Sequence, residues 1–71
     1  MNTVFEGRAL YCGTDNPMTG LHHGKGYEIR TQKMKSGKYR VTVLDTPLSP
    51  IRLNYNDKKE CGFTWKPVKN N

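Results

Sequence analysis

The two cysteines and two histidines, Cys12, Cys61, His22 and His23, are of the types that bind zinc or form a Cys–His catalytic pair. Structural zinc sites carry their ligands as pairs at short spacing, whereas these two cysteines are far apart in the sequence. Nucleophilic catalysis needs a base, an orienting group and an oxyanion hole beside the cysteine, and no local pattern supplies them. We therefore expect two small buried cysteines and two loop histidines, with no metal, no cofactor and no catalytic residue.

The other patterns that could support catalysis are incomplete. Residues 20–25 resemble the phosphate-binding pattern Gly-x-x-x-x-Gly-Lys, but Gly24 stands one position early and Gly26, not Ser or Thr, follows Lys25. The six acidic residues are scattered, so no carboxylate pair for acid–base chemistry is indicated. The sequence predicts a protein that is not an enzyme and has no small-molecule substrate.

Positive charge is the strongest functional signal in the sequence. Twelve Lys and Arg against six Asp and Glu give a net charge of +6, and residues 21–44 hold six of these bases against one acid. Such an excess attracts anionic partners such as nucleic acid or an acidic protein surface, although it also occurs on faces that only meet solvent. The candidate binding residues for an acidic partner are Lys25, Arg30, Lys33, Lys35, Lys38 and Arg40.

A second candidate surface is the long irregular stretch over residues 13–26. Its turn signals include Asp-Asn-Pro at positions 15–17, and Leu21 is its one clear aliphatic anchor. Met18 has no strand position, so we expect either an adaptable protein contact or a side chain folded back over the end of the barrel. The candidate protein-partner loop comprises Met18, Leu21, His22 and His23.

Short runs of β-favouring residues between turn signals predict an all-β fold. We expect strands over residues 4–12, 27–34, 39–44, 51–55 and 61–66, with a charged turn or one short helical turn over residues 56–60. In the first strand, a bulge near Gly7 or burial of both faces at residues 10–12 would explain the broken alternation. Residues 46–50 contain two prolines and are excluded from a central strand.

The central hairpin permits a register argument. A two-residue turn at positions 36–37 pairs Val41 with Gln32 and sets polar residues against the apolar face. A three-residue loop over residues 35–37 instead pairs Thr31 with Val41, and places Gly37 at the left-handed position of a bulged turn. We favour the second register, which puts Tyr27 and Tyr39 on the core side and Arg30 and Arg40 on the solvated side.

The core of so short a chain must be thin, because only 34% of its 71 residues are apolar. Tyr55 and Trp65 could form a binding face, since both residue types are enriched at binding hot spots. With a single tryptophan available, however, we place Trp65 in the core.

Residues 20–29, with the sequence Gly-Leu-His-His-Gly-Lys-Gly-Tyr-Glu-Ile, together with the hairpin and the late aromatic pair Phe63 and Trp65, resemble small SH3-like proteins of bacteria and phages. Residues 9–11, Ala-Leu-Tyr, resemble the start of the signature of eukaryotic SH3 domains, but the residues of the proline-ligand groove are missing. The resemblance implies a five-stranded SH3-like barrel with a long first loop and a tight central hairpin. It carries over no binding residue.

The organisation expected from the sequence is one domain over residues 1–71, with residues 69–71 frayed. No apolar run is long enough for a membrane span or a signal peptide, which predicts a cytoplasmic protein, in the host cytoplasm if phage-encoded. The predicted function is a non-catalytic accessory module that engages an acidic partner, such as nucleic acid, through the basic hairpin. The alternative is a phage-encoded protein–protein interaction module that modulates a host factor.

Overall fold

A computed structural model describes residues 2–46 and 50–68. The elements follow one another as β1 (Asn2–Tyr11), β2 (Gly26–Lys33), β3 (Tyr39–Val43), β4 (Ile51–Tyr55), α1 (Lys58–Thr64) and β5 (Trp65–Pro67). The frayed end predicted for residues 69–71, and most of the proline-containing segment 46–50, lie outside the described residues.

All five strands belong to one antiparallel sheet with the order β4-β3-β2-β1-β5. This confirms a small, β-rich domain. Within the described residues the sheet is open, because the edge strands β4 and β5 do not pair with each other. The predicted closure into a barrel is therefore not observed. The helix α1 connects the two edge strands in sequence and contacts β3, β4 and β5.

One face of the sheet forms the core. Side chains alternate along β2, so that Tyr27, Ile29 and Thr31 are buried while the residues between them are half-buried. Burial of apolar surface on one side of each strand is the main favourable contribution to folding. It stabilises the fold by about 25 cal/mol for each Å² of apolar surface removed from water. The buried apolar cluster comprises Ala9, Tyr11, Leu21, Tyr27, Ile29, Val41, Val43, Cys61 and Trp65.

The β2–β3 hairpin has the register expected from its side-chain parity. Thr31 lies opposite Val41, and Ile29 lies opposite Val43. The Met34 amide donates a 2.8 Å hydrogen bond to the Lys38 carbonyl, which leaves three residues in the loop. Gly37 has φ +90°, a conformation that a residue with a Cβ adopts only at a cost. The prediction of a bulged three-residue turn is confirmed.

The first strand differs from the prediction in two ways. Its register with β2 shifts between Thr3 and Phe5, so the bulged residue is Val4 rather than a residue near Gly7. The alternation also continues to the end of the strand, because Ala9 and Tyr11 are buried while Leu10 is 40% exposed on the outer face. Burial of both faces at this end is therefore wrong for Leu10.

The last predicted strand is wrong over its first half. Residues 58–64, including Cys61 and Phe63, form α1, and the strand begins only at Trp65. The helix starts here because the Asp57 carboxylate accepts a 2.9 Å hydrogen bond from the Glu60 amide, which caps the first turn. The Glu60 carboxylate in turn accepts one from the Asn56 amide at 2.9 Å. Cys61 is buried, whereas Phe63 is 65% exposed.

Candidate functional site

Three lysines project from the end of the β2–β3 hairpin. Lys33 is the last residue of β2, and Lys35 and Lys38 belong to the connecting loop. All three side chains are exposed, and no carboxylate of the described chain lies within ion-pair distance of any of them. We call Lys33, Lys35 and Lys38 the hairpin tip.

The start of β1 adds polar groups beside the hairpin tip. Asn2 pairs with Lys33 in the sheet. A shallow depression of about 290 Å³ lies between Asn2, Lys33, Met34 and Lys35. Two ammonium groups and one amide around an open depression can bind an anionic group without enclosing it. This arrangement suits a phosphate that belongs to a larger molecule.

The arginines of the candidate set lie on the outer face of the sheet. Arg30 Nε is 3.0 Å from Glu6 Oε2, so its charge is balanced by a neighbouring strand. Arg40 lies closer to the hairpin tip, and its Nε donates a 3.1 Å hydrogen bond to Asn54 Oδ1. Because Asn54 is neutral, Arg40 keeps a net positive charge beside the tip.

Lys25 lies at the opposite end of β2 from the hairpin tip. Its Nζ is 5.5 Å from the centre of the Tyr27 ring, next to the start of the strand. Eight residues separate Lys25 from Lys33, which corresponds to about 25 Å of extended chain. The fold thus keeps Lys33, Lys35 and Lys38 together at one end of the hairpin, with Arg40 near that end on the outer face. It places Lys25 at the opposite end of β2 and Arg30 in an ion pair with Glu6.

In the described chain, the acidic residues all have partners within the protein, whereas most basic residues form no ion pair. All six carboxylates have partners, in ion pairs with basic side chains or in hydrogen bonds to backbone amides. Among the eleven Lys and Arg that the structure describes, only Arg8 and Arg30 lie in ion pairs. The excess positive charge is therefore free to meet an external partner.

Sequence reasoning missed one basic residue of the outer face. Arg52 is exposed on β4 and lies opposite Thr42 in the neighbouring strand. Thr42 is only 8% exposed although it points to the outer face, where Arg30 and Arg52 flank it. The alternation of Ile51, Leu53 and Tyr55 on the core side was the signal that could have placed Arg52 here.

The aromatic residue beside the hairpin tip is Tyr39, which lies opposite Lys33 in the sheet. Tyr27 and Trp65 are buried, which confirms their placement in the core, and Tyr39 is half-buried against it. Phe63 is exposed but belongs to α1. Base stacking needs an exposed aromatic ring, and the three residues of the hairpin tip are lysines, which offer phosphate contacts.

The carboxylate of Asp15 is one of the groups that hold the loop before β2. Asp15 Oδ1 accepts a 2.6 Å hydrogen bond from the His23 amide, and Asp15 Oδ2 is 3.5 Å from His22 Nδ1. The hydrogen bond from the His23 backbone, followed by the proximity of His22, lowers the pKa of Asp15. Both histidine side chains remain exposed.

Two apolar residues of the same loop have opposite environments. Leu21 is 1% exposed and joins the core, as its assignment as the loop's anchor predicts. It therefore anchors the loop and offers no surface to a partner. Met18 is 86% exposed, so the expectation that it folds back over the end of the sheet is wrong.

The cysteines are free thiols in different environments. Cys61 is buried, and desolvation raises its pKa, whereas Cys12 is half-buried. In the described ranges no three side chains of His, Cys, Asp or Glu come together in a way that could hold a metal ion. The described residues also include no helix that is long and apolar enough to cross a membrane.

Comparison with known proteins adds no relative: no protein family, no curated protein and no solved structure matches the chain.

Proposed function

We propose that this protein is a non-catalytic module that binds nucleic acid through its phosphate backbone, with the hairpin tip and Arg40 as the contact surface. The observation that carries the proposal is the unbalanced charge of Lys33, Lys35 and Lys38 in a chain whose carboxylates are all engaged elsewhere. Lysines that neutralise phosphates release condensed counterions, and this release drives binding at low salt.

The proposed scaffold is an SH3-like barrel that remains open between its edge strands. The strand order β4-β3-β2-β1-β5 supports this assignment, as does the position of α1 between β4 and β5 in the sequence. A side-chain hydrogen bond from Trp65 to Tyr55 across the open side supports it further. On this scaffold the hairpin tip is held at the end of the sheet by the regular pairing of β2 with β3.

The chemistry of the hairpin tip defines the type of recognition. Phosphate contacts position a nucleic acid but carry no sequence information. Without an exposed aromatic ring at the tip, single strands gain no stacking energy over duplexes. We therefore propose sequence-independent binding in which a duplex is bound at least as tightly as a single strand.

Two triple variants with the same charge test the proposal. One replaces Lys33, Lys35 and Lys38 by Gln, and the control replaces Lys58, Lys59 and Lys66 by Gln. Affinity for a short labelled duplex is measured by fluorescence anisotropy at low salt. We expect the tip variant to lose about tenfold or more in affinity and the control to lose less than about threefold.

Two results would contradict the proposal. The first is no measurable binding of duplex or single strand by the unmodified protein at low salt. The second is an equal loss in both triple variants, because it would mean that net charge alone, and not the hairpin tip, attracts the nucleic acid. Circular dichroism of each variant confirms that its fold is unchanged.

A further inference from the structure

A groove of about 310 Å³ opens on the core-facing side of the sheet, beside α1. Its walls are mainly apolar and include Val4, Phe5, Tyr39, Trp65 and Pro67. This volume is at the lower limit of cavities that bind small molecules. It suits one aromatic side chain or a pair of aliphatic side chains better than a cofactor. We call this cavity the apolar groove.

The groove exists because two elements leave space unfilled. Among the described residues, β5 pairs with Ala9, Leu10 and Tyr11, and the Val68 amide donates a hydrogen bond to the Arg8 carbonyl. No described strand pairs with residues 2–7 of β1 on that side. The helix α1 contributes Gly62 to the lining, and a Cβ built at Gly62 meets no atom within 4 Å. Within residues 2–46 and 50–68, neither a strand nor a helical side chain therefore fills this space.

Val4 is an exposed apolar residue of the groove itself, because it lines the groove and is 51% exposed. Phe63 and Val68 are also exposed and follow the lining residues Gly62 and Pro67 in the chain, but they are not part of the lining. Exposed apolar surface at an apolar groove is typical of a contact surface for a partner.

Lys58 is the one charged residue among those that line the apolar groove. The adjacent Lys59 has its Nζ 6.0 Å from the centre of the Phe63 ring. The carboxylates of Asp57 and Glu60 belong to the same turn, accept hydrogen bonds from backbone amides and are not part of the lining. A negative charge beside the apolar group of a partner complements Lys58.

The edge of β1 determines how a partner can approach. Strand addition requires a regular row of free backbone groups. The register shift at Val4 and the positive φ of Gly7, +151°, interrupt that row next to the apolar groove. A partner therefore inserts side chains into the groove and does not extend the sheet.

We propose that the apolar groove binds a short acidic segment of a protein partner, which inserts one or two large apolar side chains beneath Lys58. The lining of the groove shares no residue with the hairpin tip, so the proposal does not rest on nucleic-acid binding. Because Trp65 is the single tryptophan and lines the groove, its fluorescence reports occupancy directly.

The probe is a short synthetic peptide with a central leucine–phenylalanine pair flanked on both sides by glutamates and aspartates. Control peptides replace the apolar pair by serines or the acidic residues by lysines. We expect a saturable change in Trp65 fluorescence with the first peptide, at a dissociation constant of about 10–100 μM. Both control peptides should bind at least about tenfold more weakly.

Variants locate the binding site of the peptide. Gly62→Leu places a side chain in the open space of the groove, and Lys58→Glu reverses the charge of its rim. Each should weaken peptide binding by about fivefold or more, whereas Lys66→Glu, the same change on the outer face, should not. The triple hairpin-tip variant should bind the peptide normally, which separates this proposal from the nucleic-acid proposal.

Three results would overturn the proposal. They are no fluorescence response to the acidic apolar peptide, equal binding of all three peptides, or binding unaffected by both Gly62→Leu and Lys58→Glu. Sedimentation velocity supplies the last check: self-association that Gly62→Leu abolishes would show that a second copy of the chain, and not an acidic partner, occupies the groove.

Discussion

Trp65 Nε1 donates a 2.8 Å hydrogen bond to Tyr55 Oη, and this bond joins β4 to β5 across the open side of the sheet. The two strands share no backbone pairing, so side chains connect them where a closed barrel would have a ladder. Trp65 also packs against Tyr11, with ring centres 5.0 Å apart. The pair Tyr55 and Trp65 therefore holds the two edges of the sheet together.

Tyr55→Phe should destabilise the fold by about 1–2 kcal/mol, because it leaves the buried indole N–H of Trp65 without its acceptor. The measurement is the free energy of unfolding in urea. Tyr39→Phe is the matched control, since Tyr39 lies opposite Tyr55 in the sheet and its hydroxyl makes no hydrogen bond within the described chain. An equal effect of both substitutions would refute the role of the hydrogen bond.

Alkaline pH should weaken the fold through Tyr55. Burial raises the pKa of Tyr55 from 10.0 to about 12, so the unfolded chain loses this proton at lower pH than the folded chain. The contribution to stability is complete below pH 10 and is lost as the pH rises from about 10 to about 12. The free energy of unfolding in urea should fall less steeply across this pH range for Tyr55→Phe than for the unmodified protein. Parallel declines would contradict this assignment.

Two glycines should respond to alanine in opposite directions. Gly37 has φ +90° in the hairpin loop, so Gly37→Ala should destabilise the protein by about 1 kcal/mol. Gly62 has ordinary helical geometry and open space around it, so Gly62→Ala should stabilise it by about 0.5–1 kcal/mol. Thermal unfolding of both variants tests this, and a gain in stability from Gly37→Ala would show that the loop geometry is wrong.

The apolar packing of the long loop against the core should depend on Leu21. Leu21→Ala should destabilise the protein by about 2–4 kcal/mol because it empties a buried site. Met18 is 86% exposed, so Met18→Ala should change the free energy of unfolding by less than about 0.5 kcal/mol. If Leu21→Ala is as mild as Met18→Ala in urea unfolding, the loop does not contribute to the core.

Side-chain parity predicted the central part of the fold. Thr31 and Val41 share a face only in the three-residue register, and burying one face fixes that choice. The same reasoning placed Tyr27 in the core and Arg40 on the outer face. These features depend on neighbouring residues of one hairpin, so local sequence was sufficient to predict them.

Parity failed where another local interaction was stronger. Cys61, Phe63 and Trp65 alternate like a strand, yet the cap formed by Asp57 and Glu60 starts a helix that includes the first two. The acidic residues at positions 57 and 60 were the available signal for this helix. The bulge at Val4 had no such signal, because it depends on how β1 aligns with a distant strand.

The candidate site was predictable in composition but not in arrangement. Lys33, Lys35 and Lys38 are close together in sequence and remain so in the fold. Arg30, in contrast, pairs with Glu6 because β1 lies beside β2, and this long-range pairing was not evident from the hairpin alone. The apolar groove likewise depends on where β5 ends relative to β1, which no local pattern encodes.

The salt dependence of duplex binding tests the nucleic-acid proposal most directly. The logarithm of the association constant should fall linearly with the logarithm of the salt concentration, since each neutralised phosphate releases counterions. Replacing Lys33, Lys35 and Lys38 by Gln should reduce the steepness of that line by about 2–3, while replacing Lys58, Lys59 and Lys66 should leave it nearly unchanged. An unchanged slope in the hairpin-tip variant would contradict the proposal that these three lysines contact the phosphates.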